Sequence, residues 1–280
     1  MLKCGIDIGG TTIKGALFDG GPVPLKFVSA ETKGRMGREK ILEQLFSVLD
    51  DLTAGLPEFI GISSAGNIDP YKGTCVYATD NLSGWTGTEI KKIVEKRYSI
   101  PCKADNDAIC ALKGELVFHE GVKDATMLTF GTGVGGASLV GGTILRGKDF
   151  AGGRWGHFCL EPNGNRCNCG KTGCAETYLS GNALLKEGRK ELPSLKDTEE
   201  LFALYRDGNE PAKNVIENFG VYLRRLLTEI RTILSPELII LGGGVMKSED
   251  IVRSLLCGAD EGITFAKLGN LSGAYGASNL

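Results

Sequence analysis

Residues 4–15 read CGIDIGGTTIKG, and residues 128–142 read LTFGTGVGGASLVGG. Each stretch opens with apolar residues suited to a strand, turns through glycines and runs into a second apolar stretch. A glycine turn leaves backbone N–H groups able to point at one spot, where larger side chains would block the approach. Gly9, Gly10, Thr11 and Thr12 supply amides and hydroxyls in the first turn, with the charge of Lys14 nearby. Gly131, Thr132, Gly133, Gly135 and Gly136 supply the second. Taken singly, each turn reads as a tight β-hairpin. As a pair opening two similar halves, they are expected to face each other and hold the phosphates of one nucleotide. Only the first carries an aspartate, Asp7, at the end of its strand. A hard cation such as Mg²⁺ prefers carboxylate, water and phosphate oxygens, so Asp7 is placed to hold one through water. Phe130 occupies the matching place in the second turn, so one metal ion is expected to be enough for both.

Outward from these turns, strands alternate with helices. Apolar runs predict three strands within residues 2–31, a strand at 59–66, another at IPCKAD (100–105), and three more at MLTF, GASLV and TILRG. Helical spacing marks 37–52, 86–98 with Thr86 as a cap, 107–117, and several segments between 175 and 234 broken near Pro193 and Asp207-Gly208. The buried-looking strand ELIILGG (237–243), a helix near 248–257, a strand near 262–265 and a terminal helix follow. Each half opens with three strands and then alternates, which argues α/β with a largely parallel sheet in each half. A length of 280 residues fits two domains or one large one.

With 24% charged residues and a net charge of −2, binding of nucleic acid by bulk charge is not expected. No apolar run approaches a bilayer span, and residues 1–12 lack a signal-peptide pattern, so a cytoplasmic location is the expectation. Nine cysteines without a secretory signal make disulfides a poor explanation. Cys4, Cys75, Cys102 and Cys110 read as small buried hydrophobes, joined by Cys257. Cys167, Cys169 and Cys174 crowd into eight residues, with His157 and Cys159 upstream. Three thiolates and one imidazole match a closed tetrahedral Zn²⁺ site, which has no open position for chemistry and is therefore structural. On spacing alone Cys159 competes as a ligand.

Two further stretches carry candidate chemistry. KADNDAICALKGE (103–115) places Asp105, Asn106 and Asp107 where a strand becomes a helix. Asp105 or Asn106 is suited to cap the helix, leaving Asp107 as a base. Phosphoryl transfer to an alcohol needs positioning, charge neutralisation and one carboxylate to accept the hydroxyl proton. Gly242, Gly243 and Gly244 follow the strand ELIIL. They serve either as a helix-start turn or as a flat backbone against which adenine and ribose lie.

These residues together resemble the ROK family (repressors, open reading frames and sugar kinases) of the actin-like ATPase superfamily. The resemblance runs almost end to end. DIGGTTIKG looks like the first phosphate motif and FGTGVGGA like the second. GISSAGNID and NLSGW follow the family order. NDAICALKGE resembles the segment of the catalytic aspartate, and GH with CNCGKTGCAE resembles the zinc signature, spaced His-x9-Cys-x-Cys-x4-Cys. That last pattern favours His157, Cys167, Cys169 and Cys174 over Cys159.

The resemblance implies a two-domain, ribonuclease H-like α/β fold. Its small N-terminal domain would be residues 1–113 with a helix at about 268–280, and residues 114–267 would form the larger, zinc-carrying domain. It implies a glucokinase-like enzyme that uses ATP, Mg²⁺ and a structural Zn²⁺, with Asp107 deprotonating the 6-hydroxyl of a hexose. Asn106, Asp107, His157 and Glu176 would meet sugar hydroxyls, with Gly66 and Asn67 on the opposite wall. Closure of the domains would exclude water from the transfer. The expected partners are small-molecule sugar and nucleotide, without nucleic acid or membrane, and relatives of this kind are often dimers. Repressors of the family carry a helix-turn-helix ahead of the first phosphate motif. With Asp7 so near the first residue and no basic recognition helix evident, a repressor is not the expectation. At two positions this chain departs from the family pattern. Arg154 stands where a glutamate usually accepts bonds from ring hydroxyls, and Ile109 stands two residues after Asp107 where asparagine is usual. Arginine only donates and carries the opposite charge, so the resemblance also implies an altered sugar preference, or a sugar-binding protein with weak or no kinase activity.

Overall fold

The computed structural model describes residues 1–280. They form two compact units. Unit 1 comprises Met1–Gly121, Arg146–Gly152 and Lys267–Leu280, and unit 2 comprises Val122–Leu145 and Gly153–Ala266. The boundary expected at residue 113 falls inside a helix, Asp107–Glu115, that lies whole in unit 1.

Unit 1 begins with β1 (Lys3–Ile8), β2 (Thr12–Phe18) and β3 (Lys26–Glu31), followed by α1 (Arg38–Thr53) and β4 (Phe59–Ser64). Ile41, Leu45, Val48, Leu49 and Leu52 recur at helical spacing on α1 and are all buried. A short hairpin, β5 (Asn67–Asp69) with β6 (Thr74–Tyr77), leads to α2 (Ile90–Tyr98), β7 (Cys102–Asn106) and α3 (Asp107–Glu115). The main sheet has the order β3-β2-β1-β4-β7. Its first three strands pair antiparallel, while β1, β4 and β7 pair parallel.

Unit 2 repeats the plan. Its first strands are β8 (Ala125–Phe130), β9 (Val134–Val140) and the two-residue β10 (Thr143–Ile144). An irregular segment leads to α4 (Glu176–Leu179), α5 (Gly181–Gly188), α6 (Thr198–Arg206) and α7 (Glu210–Leu234). Then come β11 (Leu238–Gly242), α8 (Glu249–Leu255) and β12 (Ile263–Phe265). The sheet order is β10-β9-β8-β11-β12, again antiparallel in the opening strands and parallel beyond. Helix α7 is capped by the Asn209 side chain and buries Ile216, Phe219, Leu223, Leu226, Leu227 and Ile230 along one stripe.

The chain ends in unit 1 with α9 (Ser272–Ser278). Tyr275 of this helix packs on Phe18, and its glycine-rich face approaches neighbouring backbone closely. A Cβ on Gly5 would run into the Ala274 carbonyl, and one on Gly276 into the Cys110 carbonyl of α3. The buried Glu115 at the end of α3 secures the returning chain, accepting from the Lys267 amide (2.7 Å), the Leu268 amide (2.9 Å) and Ser272 Oγ (2.7 Å).

Several expectations are corrected. Both sheets are mixed rather than largely parallel, because each three-strand opening folds back as hairpins. Helix α2 starts at Ile90, and Thr86 caps nothing; its Oγ1 accepts the Ala78 amide instead. Cys257 is exposed, placed beyond α8 at φ 52° where the chain leaves the helix. No helix is long and apolar enough to cross a membrane.

Candidate functional site

In unit 1, residues 9–11 join β1 to β2. The Gly9 amide is turned inward and donates to the Thr12 carbonyl at 3.1 Å, while Thr32 Oγ1 donates to the Gly9 carbonyl at 2.7 Å. Gly9 therefore shapes the turn, and Gly10 and Thr11 are the residues it leaves exposed. Asp7 pairs across the strands with Lys14, and its Oδ1 accepts from Ser63 Oγ at 2.6 Å. Burial raises the Asp7 carboxyl above its usual range, against the Ser63 bond and the Lys14 charge, which lower it. Lys14 Nζ also reaches Asn270 Oδ1 at 3.2 Å.

At the other edge of this sheet, β7 runs directly into α3. Asn106 is the cap: its Oδ1 accepts the Ala108 and Ile109 amides at 3.0 and 3.2 Å. Its Nδ2 donates to the Gly66 carbonyl at 2.8 Å and to Asp107 Oδ1 at 2.7 Å. Asp107 Oδ1 also accepts the Ala108 amide at 2.8 Å. Both donors land on one oxygen, Oδ1. Asp107 is only partly exposed. The surrounding protein pushes its carboxyl up to about 6, and the Asp7 charge adds to the rise. Asp105 does not cap; it is buried against Arg146. Gly66 has φ 104°, and its neighbour Asn67 is buried with Nδ2 on the Asp149 carbonyl at 3.3 Å.

Unit 2 carries the second glycine turn between β8 and β9. The Gly131 amide donates to the Gly133 carbonyl at 3.0 Å, closing the turn much as Gly9 closes the first. The Gly131 carbonyl accepts the Gly181 amide at 2.8 Å, which ties the start of α5 to the turn. Thr132 is exposed, Gly133 and Gly135 are half-buried, and a Cβ on Gly133 would lie 2.6 Å from Glu176 Oε2. Of the run after β11, Gly242 is buried against Met127 and Ala266, so packing explains that glycine. Gly243 has φ 93° and abuts the Phe130 backbone, whereas Gly244 faces open space.

The Cys-rich segment of unit 2 is zipped by backbone bonds. Leu160 and Cys167 amides donate to Gly173 and Lys171 carbonyls, each at 2.8 Å, and the Ala175 amide donates to Phe158. This folding brings His157, Cys167, Cys169 and Cys174 together, with ligand atoms all within 4.8 Å of one another. Cys169 and Cys174 Sγ are 3.6 Å apart, and Cys167 Sγ is 3.7 Å from His157 Nδ1. Two thiolates on a tetrahedral zinc at ~2.3 Å would stand about 3.8 Å apart, so the donor set fits that ion. Cys159 lies outside the set and is exposed. Burial, and then the charge of Arg154, hold the His157 imidazole below its usual range, in the neutral form that a metal ligand needs. Glu176 opens α4 beside the cluster. Its Oε1 is 3.3 Å from Cys167 Sγ and 3.9 Å from His157 Nδ1, and its Oε2 accepts the Val134 amide at 3.3 Å. Arg154 is half-buried, and its carbonyl accepts the His157 amide at 3.0 Å.

Three participants went unnoticed in the sequence. Ser63 and Ser64 end an otherwise apolar buried strand, and buried hydroxyls need partners. Ser63 serves Asp7, and Ser64 accepts Trp85 Nε1 at 3.0 Å. Arg146 gave no local signal, since its partner Asp105 lies 41 residues away.

A mixed five-strand sheet, repeated in each unit with a glycine turn after its first strand, defines the actin-like ATPase fold. Within that class the chain belongs to the ROK family, whose model matches residues 3–280. It is 31% identical over 265 residues to glucokinase of Thermotoga maritima, covering 89% of this chain and 83% of that protein. It is 30% identical over 250 residues to N-acetylmannosamine kinase of Escherichia fergusonii, covering 89% and 85%. A solved structure of a ROK family glucokinase from Streptomyces griseus in complex with glucose and AMPPNP matches with a TM-score of 0.87 at 26% identity, over 100% of this chain and 98% of that one.

Proposed function

We propose that this protein is an ATP-dependent sugar kinase that phosphorylates the 6-hydroxyl of a hexose or hexose derivative. The observation that carries the reading is Asp107. One carboxylate oxygen is pinned by Asn106 and the Ala108 amide, and the group is poised near 6. A base of that kind accepts the hydroxyl proton as the sugar oxygen bonds to the γ-phosphorus and the bond to ADP breaks. The proton then passes from Asp107 to solvent. In this reading Gly10, Thr11, Thr12 and Lys14 of unit 1 and Thr132, Gly133 and Gly135 of unit 2 hold phosphate oxygens. Gly244 lies under the adenosine. Asp7 would hold Mg²⁺ through water, and the ion would supply charge neutralisation on the phosphates. Asn106, Gly66, Asn67, His157 and Glu176 orient the sugar. The His157, Cys167, Cys169 and Cys174 set would hold one structural zinc, fixing the segment from which His157 and Glu176 project. The relatives' activities on glucose and N-acetylmannosamine support a hexose as acceptor.

Arg154 motivates a second reading, in which the sugar preference is altered or turnover is weak. A coupled ADP-release assay across glucose, N-acetylated hexosamines, mannose, fructose and allose separates the two. Turnover that is lost in Asp107→Ala supports the kinase. Sugar binding without turnover on any of them supports a binding protein.

A further inference from the structure

Asp105 is the most deeply buried carboxylate beside the candidate base, with a side chain 2% exposed. A forked pair compensates it: Arg146 NH1 donates to Oδ1 and NH2 to Oδ2, each at 2.7 Å. Lys113 stands 3.6 Å away and makes a longer, single-point contact. Oδ1 also accepts the Asn106 amide at 2.9 Å. The planar guanidinium fork therefore fixes the plane of a carboxylate that fixes the peptide leading into Asn106. The Asn106 side chain in turn holds Asp107 Oδ1 and the Gly66 carbonyl. The chain of contacts from Arg146 to Asp107 is unbroken.

Arg146 begins the segment 146–152, which belongs to unit 1 although the flanking residues belong to unit 2. The segment is closed by the Gly152 amide donating to the Arg146 carbonyl at 2.7 Å. Its Asp149 carbonyl accepts from Asn67 at 3.3 Å, and the Phe150 ring meets Tyr71 with centroids 6.3 Å apart. One short segment thus secures two places in unit 1: the corner before Asp107, through Arg146, and the buried Asn67, through Asp149.

We propose that Arg146 is a positioning residue for Asp107, acting through Asp105 and Asn106. The consequence for turnover rests on the kinase reading; the consequence for the geometry does not. The experiment compares wild type with Arg146→Gln and Arg146→Lys in steady-state kinetics and in residue-resolved amide exchange. Lysine keeps the charge but cannot reproduce the fork. Expected for Arg146→Gln is a kcat lowered about 10- to 100-fold, with KM for sugar and for ATP within about twofold. The Asn106, Ala108 and Ile109 amides should exchange at least about tenfold faster while the β1 and β4 amides do not change. Arg146→Lys should fall between the two on both measures, and it replaces Arg146→Gln if that variant fails to fold. Unchanged kcat, or exchange that rises equally throughout unit 1, overturns the proposal and leaves Arg146 a stabilising residue only. If wild type turns over no hexose, the kinase reading fails and exchange alone decides. A rise confined to the three amides then upholds the positioning role, and no rise refutes it.

Discussion

Asn106 Nδ2 donates to Asp107 Oδ1 across 2.7 Å, and both side chains sit where β7 becomes α3. The residue that caps the helix is thus the one that orients the carboxylate. With its carboxyl raised from 3.8 to about 6, Asp107 is ionised at neutral pH yet basic enough to take a proton. In a kinase, kcat/KM should fall as pH drops through about 6. Asp107→Asn should lose about 10²- to 10⁴-fold in turnover. Stability gives a second check with a defined sign. A carboxyl whose pKa is raised by folding costs stability while ionised, and the cost fades as pH falls through 6 toward 3.8. Thermal melts should therefore place Asp107→Asn above wild type at pH 8, with the gap closing near pH 4. A variant less stable than wild type at pH 8 would contradict the raised value.

The metal set makes a separate prediction. Pure protein should contain about one zinc per chain. Cys169→Ser should lose it, and with it the protease resistance of residues 158–175, because binding energy in such a site is folding energy. Cys159→Ser should keep the metal, since Cys159 stands outside the cluster although it neighbours it in sequence. Zinc retained by Cys169→Ser and lost by Cys159→Ser would reassign the ligands.

How much of this was legible beforehand follows from how local each signal is. The β1–β2 and β8–β9 hairpins, α7 and β11 are written in contiguous apolar periodicity, and the sequence places them within a residue or two. The small hairpin of Asn67–Asp69 with Thr74–Tyr77 is not, being short and interrupted by an irregular register at Asn67/Ile68. Gly9 and Gly131 were legible as turn glycines, but not that their amides close the turns on Thr12 and Gly133. The choice between Asp105 and Asn106 as cap was open in the sequence. Arg146 settles it, because a forked cation draws Asp105 inward. Such long-range pairings have no periodicity to read.

Close backbone approach gives a prediction about the scaffold. A Cβ on Gly276 would collide with the Cys110 carbonyl, so Gly276→Ala must separate α9 from the helix that begins with Asp107. Overpacking of this kind costs about 1–3 kcal/mol, more where the obstacle is backbone. Gly21→Ala, with nothing within 4 Å, is the control and should be neutral within about 0.5 kcal/mol. Urea denaturation of both variants measures the difference, and equal midpoints would show that α9 is less tightly held than its contacts require.

Arg154 offers the sharpest test of substrate choice. It is half-buried two residues before Gly156, and its charge bears on His157, itself one of the proposed sugar-orienting residues. The resemblance to the ROK family places a hydrogen-bond acceptor at this position, and arginine can only donate. A sugar whose hydroxyls donate there meets no acceptor, whereas a ligand with an acceptor or a negative charge is favoured. Arg154→Glu should therefore raise kcat/KM for glucose-like sugars by at least about tenfold, with a smaller change in KM for ATP. It should weaken any activity that the wild type shows on acidic or acceptor-rich sugars. A sugar panel that keeps the same order of preference after the substitution would remove Arg154 from specificity and leave the choice of sugar to the residues around Asn67 and Glu176.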